Sequence, residues 1–192
     1  MKKNFVIAIL YTIVTTVLLG VIYPLVVTGL AQVLFSKQAN GSLITENGKL
    51  VGSALIGQPF TAPGYFWSRP SAAGAAGYDP TASGGSNLGP TNKALIDRVN
   101  ASIQQLQATN PGKPIPVDLV TTSGSGLDPD ITPAGAEFQV PRVAKERGMS
   151  EADVRVIVAR HTQGRQLGFL GERRVNVLEL NLDLDATHPM PK

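Results

Sequence analysis

From Asn4 to Ser36 the chain carries no charged residue. The run from Phe5 to Phe35 would be about 46 Å long as a helix. It exceeds the roughly 20 residues needed to cross a bilayer. Gly29 and Ala31 have the size that a signal-peptide cleavage site wants, but the apolar region of a signal peptide is only about 7–15 residues long. A retained membrane span over residues 5–35 is therefore expected, tilted or continuing past the membrane surface. The N-terminal amine, Lys2 and Lys3 precede it and Lys37 follows. That bias leaves residues 1–4 in the cytoplasm and exports residues 36–192. Within the span, Thr12, Thr16, Gly20, Pro24 and Thr28 recur every fourth residue and share one helix face. Small and hydroxyl residues in such a stripe suit close helix–helix packing in lipid.

Charge and composition narrow what the exported part can be. Net charge is +3, from 17 basic and 14 acidic residues. Without residues 1–36, which hold Lys2 and Lys3 and no acid, 15 basic residues face 14 acidic ones. That balance argues against nucleic-acid binding, which needs a concentrated basic face. The absence of cysteine excludes disulfides, thiol catalysis and thiolate metal sites.

The pattern after the span predicts a small mixed α/β domain of α+β class. Leu43–Ile44 and Leu50–Val51 flank Asn47-Gly48, a hairpin turn pair. Residues 57–90 are about a third glycine and proline, with Arg69 and Asp79 the only charges. Yet Phe60, Tyr65, Phe66, Trp67 and Tyr78 fall here, whereas disordered segments are poor in aromatics. An ordered, irregular and functional loop is expected, with part of its aromatics completing the core. Leu95, Val99, Ile103 and Leu106 mark one helix face, ended by Asn110-Pro111-Gly112. Residues 117–122 read as a strand. Thr132-Pro133 opens a helix over 134–147, with Pro141 expected to break it and Gly148 ending it. Ser150 and Asp153 resemble a capping box for a helix closed at Gly164, its inner face Val154, Ile157, Val158 and His161. Leucines at 178, 180, 182 and 184 alternate with polar residues, which reads as a half-buried strand whose Asp183 and Asp185 face solvent.

Recognisable chemistry is sparse. Neither His161 nor His188 stands in metal-ligand spacing with another candidate, and there is no nucleophile elbow or P-loop. Two glycine–serine segments remain, Ser83-Gly84-Gly85-Ser86-Asn87 and Ser123-Gly124-Ser125-Gly126. Glycines permit backbone N–H groups to converge on an anion, but neither segment carries a lysine for a phosphate. Turns that need positive φ are the better explanation of them. A hydrolase using Ser123 or Ser125 with His161, or a ligand-binding receptor built on the aromatic loop, would be the alternatives to a catalytically plain domain that meets a partner.

The chain closely resembles the C subunits of the Kdp potassium-transporting ATPase, the KdpC family. The resemblance rests on YFWSRPS at 65–71, SGGSNLGP at 83–90, SGSGLDPDITP at 123–133, FQVPRVAKERG at 138–148, HTQGRQLGFLGE at 161–172 and RVNVLELNLDLD at 174–185. With the single span they cover nearly the whole chain. One departure is Asp130, where many members carry histidine. The resemblance implies a single-pass protein of the bacterial inner membrane with a periplasmic C-terminal domain. It implies an accessory subunit of high-affinity, ATP-driven potassium uptake that holds together a channel-like KdpA, a P-type ATPase KdpB and a small KdpF. Such subunits are also described as catalytic chaperones that raise the ATP affinity of KdpB. No D-K-T-G-T phosphorylation motif is present, so ATP and Mg would act at the partner ATPase, and no cofactor or metal is assigned to this chain. Candidate partner-contact residues are Tyr65, Phe66, Arg69, Pro70, Ser71, Gly84, Gly85, Ser86, Asn87, Ser123, Gly124, Ser125, Gly126 and Asp128.

Overall fold

The uncharged run forms a helix from Lys2 to Leu34 in a computed structural model of the protein, which describes residues 1–190. The helix is long and apolar enough to cross a membrane, and none of its most apolar stretch is buried within the chain. It consists of α1 (Lys2–Val17), a π turn (Leu18–Ile22) and α2 (Tyr23–Leu34). The π turn has a local cause. Pro24 has no N–H for the Gly20 carbonyl and its ring crowds that carbonyl. The ladder adjusts one residue earlier, where Tyr23 N–H donates to Leu18 O, a five-residue step. Thr12 Oγ1 donates to Ala8 O at 2.9 Å, so its hydroxyl is satisfied within the helix. A short helix α3 (Ser36–Ala39) and the hairpin β1 (Leu43–Glu46) and β2 (Lys49–Ser53) follow. Asn47 and Gly48 take φ of 50° and 76° as the turn requires. The chain divides after Val51 into two compact units.

The second unit begins with about 40 residues of irregular backbone, interrupted by one helical turn at Pro80–Ala82. Helix α4 (Lys93–Thr109) follows, capped by Asn92, whose side chain accepts from Ala94 N–H. Thr132 caps α5 (Pro133–Arg147) by accepting from Gly135 N–H. Ser150 caps α6 (Glu151–Arg160) by accepting from Asp153 N–H and donating to its carboxylate. Each cap is worth about 1 kcal/mol. Gly148, at φ 65°, lets Met149 N–H reach back to Ala144 O and close α5. A three-stranded antiparallel sheet runs in the order β3 (Asp130–Ile131), β5 (Arg174–Asn176), β4 (Thr162–Gln163), with Val175 opposite both Ile131 and Thr162. Val140 and Val143 of α5, Val154 and Ile157 of α6, and Val177, Leu180 and Leu184 further on enclose Val175 and Phe66 in one core.

Several expectations need correction. Residues 177–187 form helix α7, not a strand. Asn176 accepts from Glu179 N–H and starts it. Val177, Leu180, Asn181 and Leu184 follow helical spacing on the buried face, with Leu178 buried beside them; the alternating leucines coincided with burial at 178, 180 and 184. Residues 117–122 form a turn of 3-10 helix over Val117–Leu119, whose buried Asp118 accepts from Thr132 N–H and its hydroxyl, reinforcing the start of α5. Pro141 does not break α5; the packing of Val140, Val143 and Ala144 outweighs the roughly 3 kcal/mol cost of an interior proline. Helix α6 stops at Arg160 with His161 as its cap, three residues before Gly164. Asp183 and Asp185 are not simply solvated. Asp183 binds Arg160 and His161, each at 2.9 Å, and Asp185 binds Arg147 at 2.8 Å and accepts from Tyr65 Oη at 2.9 Å.

The irregular loop is held by buried polar side chains of α5 and α7. Asn181, fully buried, accepts from Phe66 N–H at 2.8 Å and donates to Phe66 O at 3.0 Å. Gln139 treats Trp67 in the same way, at 2.8 and 3.1 Å. Arg142 donates to the carbonyls of Pro63 and Tyr65 and to Gln139 Oε1, and lies 3.8 Å over the Trp67 ring. Burial lowers its pKa to about 10, a shift that Glu146 partly offsets; it stays charged at neutral pH. Arg147 donates to Gly64 O and His188 O, each at 2.7 Å, besides binding Asp185. Asn181→Leu leaves the amide and carbonyl of Phe66 buried and unpaired, at about 1–3 kcal/mol for each group. The expected result is a marked drop in thermal unfolding midpoint in detergent, followed by the fluorescence of Trp67, the chain's one tryptophan. Leu182→Ala, on the half-buried side of the same helix, should cost clearly less.

Candidate functional site

The glycine–serine segments meet in three dimensions. Gly84 N–H donates to Ser125 O at 2.8 Å, and Ser83 Oγ donates to the same carbonyl at 3.1 Å. Within the second segment, Ser123 Oγ accepts from Gly126 N–H at 2.9 Å and Ser125 Oγ accepts from Leu127 N–H at 3.1 Å. These N–H groups, which an anion cradle would need, are spent on serine hydroxyls and on a carbonyl. Gly126 sits at φ 68°, and a Cβ there would lie 2.7 Å from both Ala73 N and Gly84 O. Gly85 lies against Gly124 in the same way, where a Cβ would come within 3.2 Å of Gly124 O. Glycine is thus required at 126, for the close approach of two backbones and for a left-handed turn, and at 85 a side chain would fit only tightly.

Ser71 and Arg69 tie the aromatic loop to this turn. Ser71 Oγ donates to Gly126 O at 2.6 Å and accepts from Ala73 N–H and Tyr78 N–H. Tyr78 Oη donates to Arg69 O. Arg69 pairs with Asp128 at 2.9 Å, and Asp128 Oδ1 also accepts from Asp130 N–H at 3.0 Å. Both side chains of the pair are about a quarter exposed, so the pair contributes more than an exposed surface bridge of about 0–1 kcal/mol. Asp128 therefore fastens the turn. Asp130 adds an ion pair to Arg174 at 3.1 Å. Burial raises its pKa and the nearby Asp128 and Glu179 add to the rise, against the pull of Arg174 and Asn176.

Most of the candidate residues fall into two groups. Arg69, Ser71, Gly84, Gly85, Ser123, Gly124, Ser125, Gly126 and Asp128 belong to this knot. Tyr65 and Phe66 belong to the clamp on α5 and α7, where burial and then Asp185 raise the Tyr65 pKa. Pro70 lines a separate small cavity of about 250 Å3 with Phe60 and Trp67. Ser86 accepts from Arg98 at 3.4 Å, and Asn87 takes a left-handed φ of 49°. The knot borders a shallow depression of about 560 Å3, lined by Arg69, Ser123–Ser125, Asp128 and the exposed Leu55 and Ile56. This depression is open, part apolar and part charged, which suits a protein surface. Among the described residues no hydrogen bond joins Ser123 or Ser125 to His161, whose Nε2 is on Asp183. No cluster of three or more histidine and carboxylate side chains with metal-binding geometry occurs among them either. The residues missed from sequence are Asp118, Gln139, Arg142, Arg147 and Asn181. The available signal was a polar residue at a buried helical position, as at Asn181 between Val177, Leu180 and Leu184.

Comparison with known proteins sets these residues in a family. The model of the KdpC family, described as the K+-transporting ATPase c chain, matches residues 5–186. A potassium-transporting ATPase KdpC subunit of Koribacter versatilis is 66% identical over 191 residues, covering 100% of this chain and 98% of its own length. Subunits of the same name from Acidobacterium capsulatum and Sorangium cellulosum are 59% and 58% identical, covering 94% and 93% of this chain.

Two substitutions test the knot. Gly126→Ala should destabilise the domain by about 2 kcal/mol or more, from left-handed strain plus the clash, read as a lower unfolding midpoint. Asp130→Asn tests the charge balance. A raised folded pKa means the native state holds the proton more tightly than the unfolded chain, so stability falls as pH rises from the ordinary aspartate pKa through the folded one. Asp130→Asn should therefore stabilise at neutral pH relative to the parent, and the gain should vanish below the ordinary pKa. A gain that persists in acid would contradict the assignment.

Proposed function

The chain belongs to the KdpC family, and we propose that it is a non-catalytic, single-pass subunit of a high-affinity, ATP-driven potassium uptake complex. The family match over nearly the whole chain carries this reading. Its partners would be a channel-like KdpA, a P-type ATPase KdpB and a small KdpF, with ATP and Mg at the ATPase. The N-terminal helix spans the bacterial inner membrane with its N-terminus in the cytoplasm, and the domain is periplasmic; the basic flanks support this orientation. The face of Thr12, Thr16, Gly20, Pro24 and Thr28 docks on a partner span. The domain sits over the extracellular mouth of the channel-like subunit. An exported domain cannot touch cytoplasmic ATP, so any effect on the ATP affinity of the ATPase is a coupling free energy passed through the membrane. The internal use of these N–H groups supports a structural role for the glycine–serine loops over nucleotide capture.

A tagged full chain drawn from potassium-starved membranes in mild detergent should bring down a P-type ATPase polypeptide. A tagged chain that elutes alone would contradict subunit membership. Gly20→Leu should lower that recovery about ten-fold, the equivalent of roughly 1.4 kcal/mol of lost helix packing. Cross-links from the domain to cytoplasmic loops alone would overturn the exported orientation.

A further inference from the structure

The turn between β4 and β5 belongs to neither the core nor the knot. Its apolar side chains face solvent, with Leu167, Phe169 and Leu170 exposed by 83%, 69% and 47%. The backbone beneath them is closed on itself. Gln166 and Leu170 exchange two N–H···O bonds of 2.9 Å, Gly168 N–H donates to Arg165 O, and Phe169 N–H donates to Gln166 O. Leu167 takes a φ of 53°, a strained backbone for an apolar residue that surrounding contacts must hold in place. Strain and satisfied amides describe a preformed tip, whereas solvent exposure of three large apolar residues in so short a segment gives it no folding purpose.

The charge around the tip is positive. Between Gln163 and Arg174 stand three arginines, 165, 173 and 174, against one acid, Glu172. Arg165 pairs with Glu172 at 2.7 Å and Arg174 with Asp130 at 3.1 Å. Arg173 is exposed and has no ion pair among the described residues.

We infer that this tip is a lipid-docking knob, in which Leu167, Phe169 and Leu170 enter the headgroup–acyl boundary of an anionic bilayer and Arg173 meets a lipid phosphate. Exposed apolar residues beside a cationic rim are the pattern of interfacial anchors. A segment entering that boundary gains from backbone groups that are already paired, and this turn pairs the amides of Gln166, Gly168, Phe169 and Leu170 within itself. The chain also carries a helix of membrane-crossing length, which would tether the domain to a lipid surface. The inference rests on that helix spanning the membrane and is independent of membership in a pump.

The absence of cysteine permits a clean test. Phe169→Cys, and separately Leu170→Cys, are labelled with an environment-sensitive fluorophore in the full chain, reconstituted in nanodiscs containing phosphatidylglycerol. Val117→Cys, an exposed site of the same unit, serves as the reference. Emission at 169 and 170 should shift to the blue and be lost when doxyl-labelled lipids are included, while the reference stays water-like. In neutral phosphatidylcholine discs, or with Arg173→Glu, the shift should shrink. Water-like emission at both tip sites, with an unchanged unfolding midpoint, would overturn the proposal. A blue shift that doxyl lipids do not quench would overturn it too, because the tip would then lie against protein.

Discussion

Four buried side chains, Asn181, Gln139, Arg142 and Arg147, hold the backbone of residues 63–67, and the order of the second unit depends on them. A loop rich in glycine and proline cannot pair its own amides and carbonyls in a ladder, yet its aromatics must be buried to complete the core. Each buried backbone group then needs a partner from elsewhere. Asn181 and Gln139 each supply a donor and an acceptor to one residue. The two arginines supply donors only, so in the loop they satisfy carbonyls and no amides. Phe66 can be fully buried because its peptide groups are satisfied in this way. The second attachment, through Ser71, Arg69 and Asp128, pins the other end of the loop to the 123–128 turn.

Much of this was visible in the sequence wherever the determining interaction is local. The Asn47-Gly48 turn, the caps at Thr132 and Ser150, and the stop at Gly148 depend on residues within five positions of one another, and all formed as read. The uncharged run announced its own helix. Failures came where partners are distant. Helix α7 was read as a strand because Asn181, a polar residue, occupies a fully buried position, filled by Phe66 more than a hundred residues earlier. The 117–122 segment carries β-branched and apolar residues suited to a strand, but Asp118 is drawn to the start of α5. The order of the aromatic loop could be argued from composition, whereas its anchors could not, since Gln139 and Arg142 reach back some seventy residues or more.

The same pattern bears on function. The glycine–serine segments look in sequence like a phosphate cradle, and in the fold they serve as close-packed backbone held by serine hydroxyls. A domain whose loops are locked in this manner presents a fixed surface, which favours rigid association with a partner over capture of a small ligand by a closing loop. On the proposed reading, stiffness is what a subunit needs if it is to bias another subunit's equilibrium across a membrane, because only a contact that differs between two states of the partner can carry a coupling free energy.

The most direct measurement is potassium-stimulated ATP hydrolysis in purified membranes that contain or lack this chain, the partner subunits being otherwise present. The account predicts that hydrolysis is lost without the chain and restored when it is re-expressed, while the chain purified by itself hydrolyses no ATP. Undiminished potassium-stimulated hydrolysis in its absence, or hydrolysis by the chain alone, would contradict it.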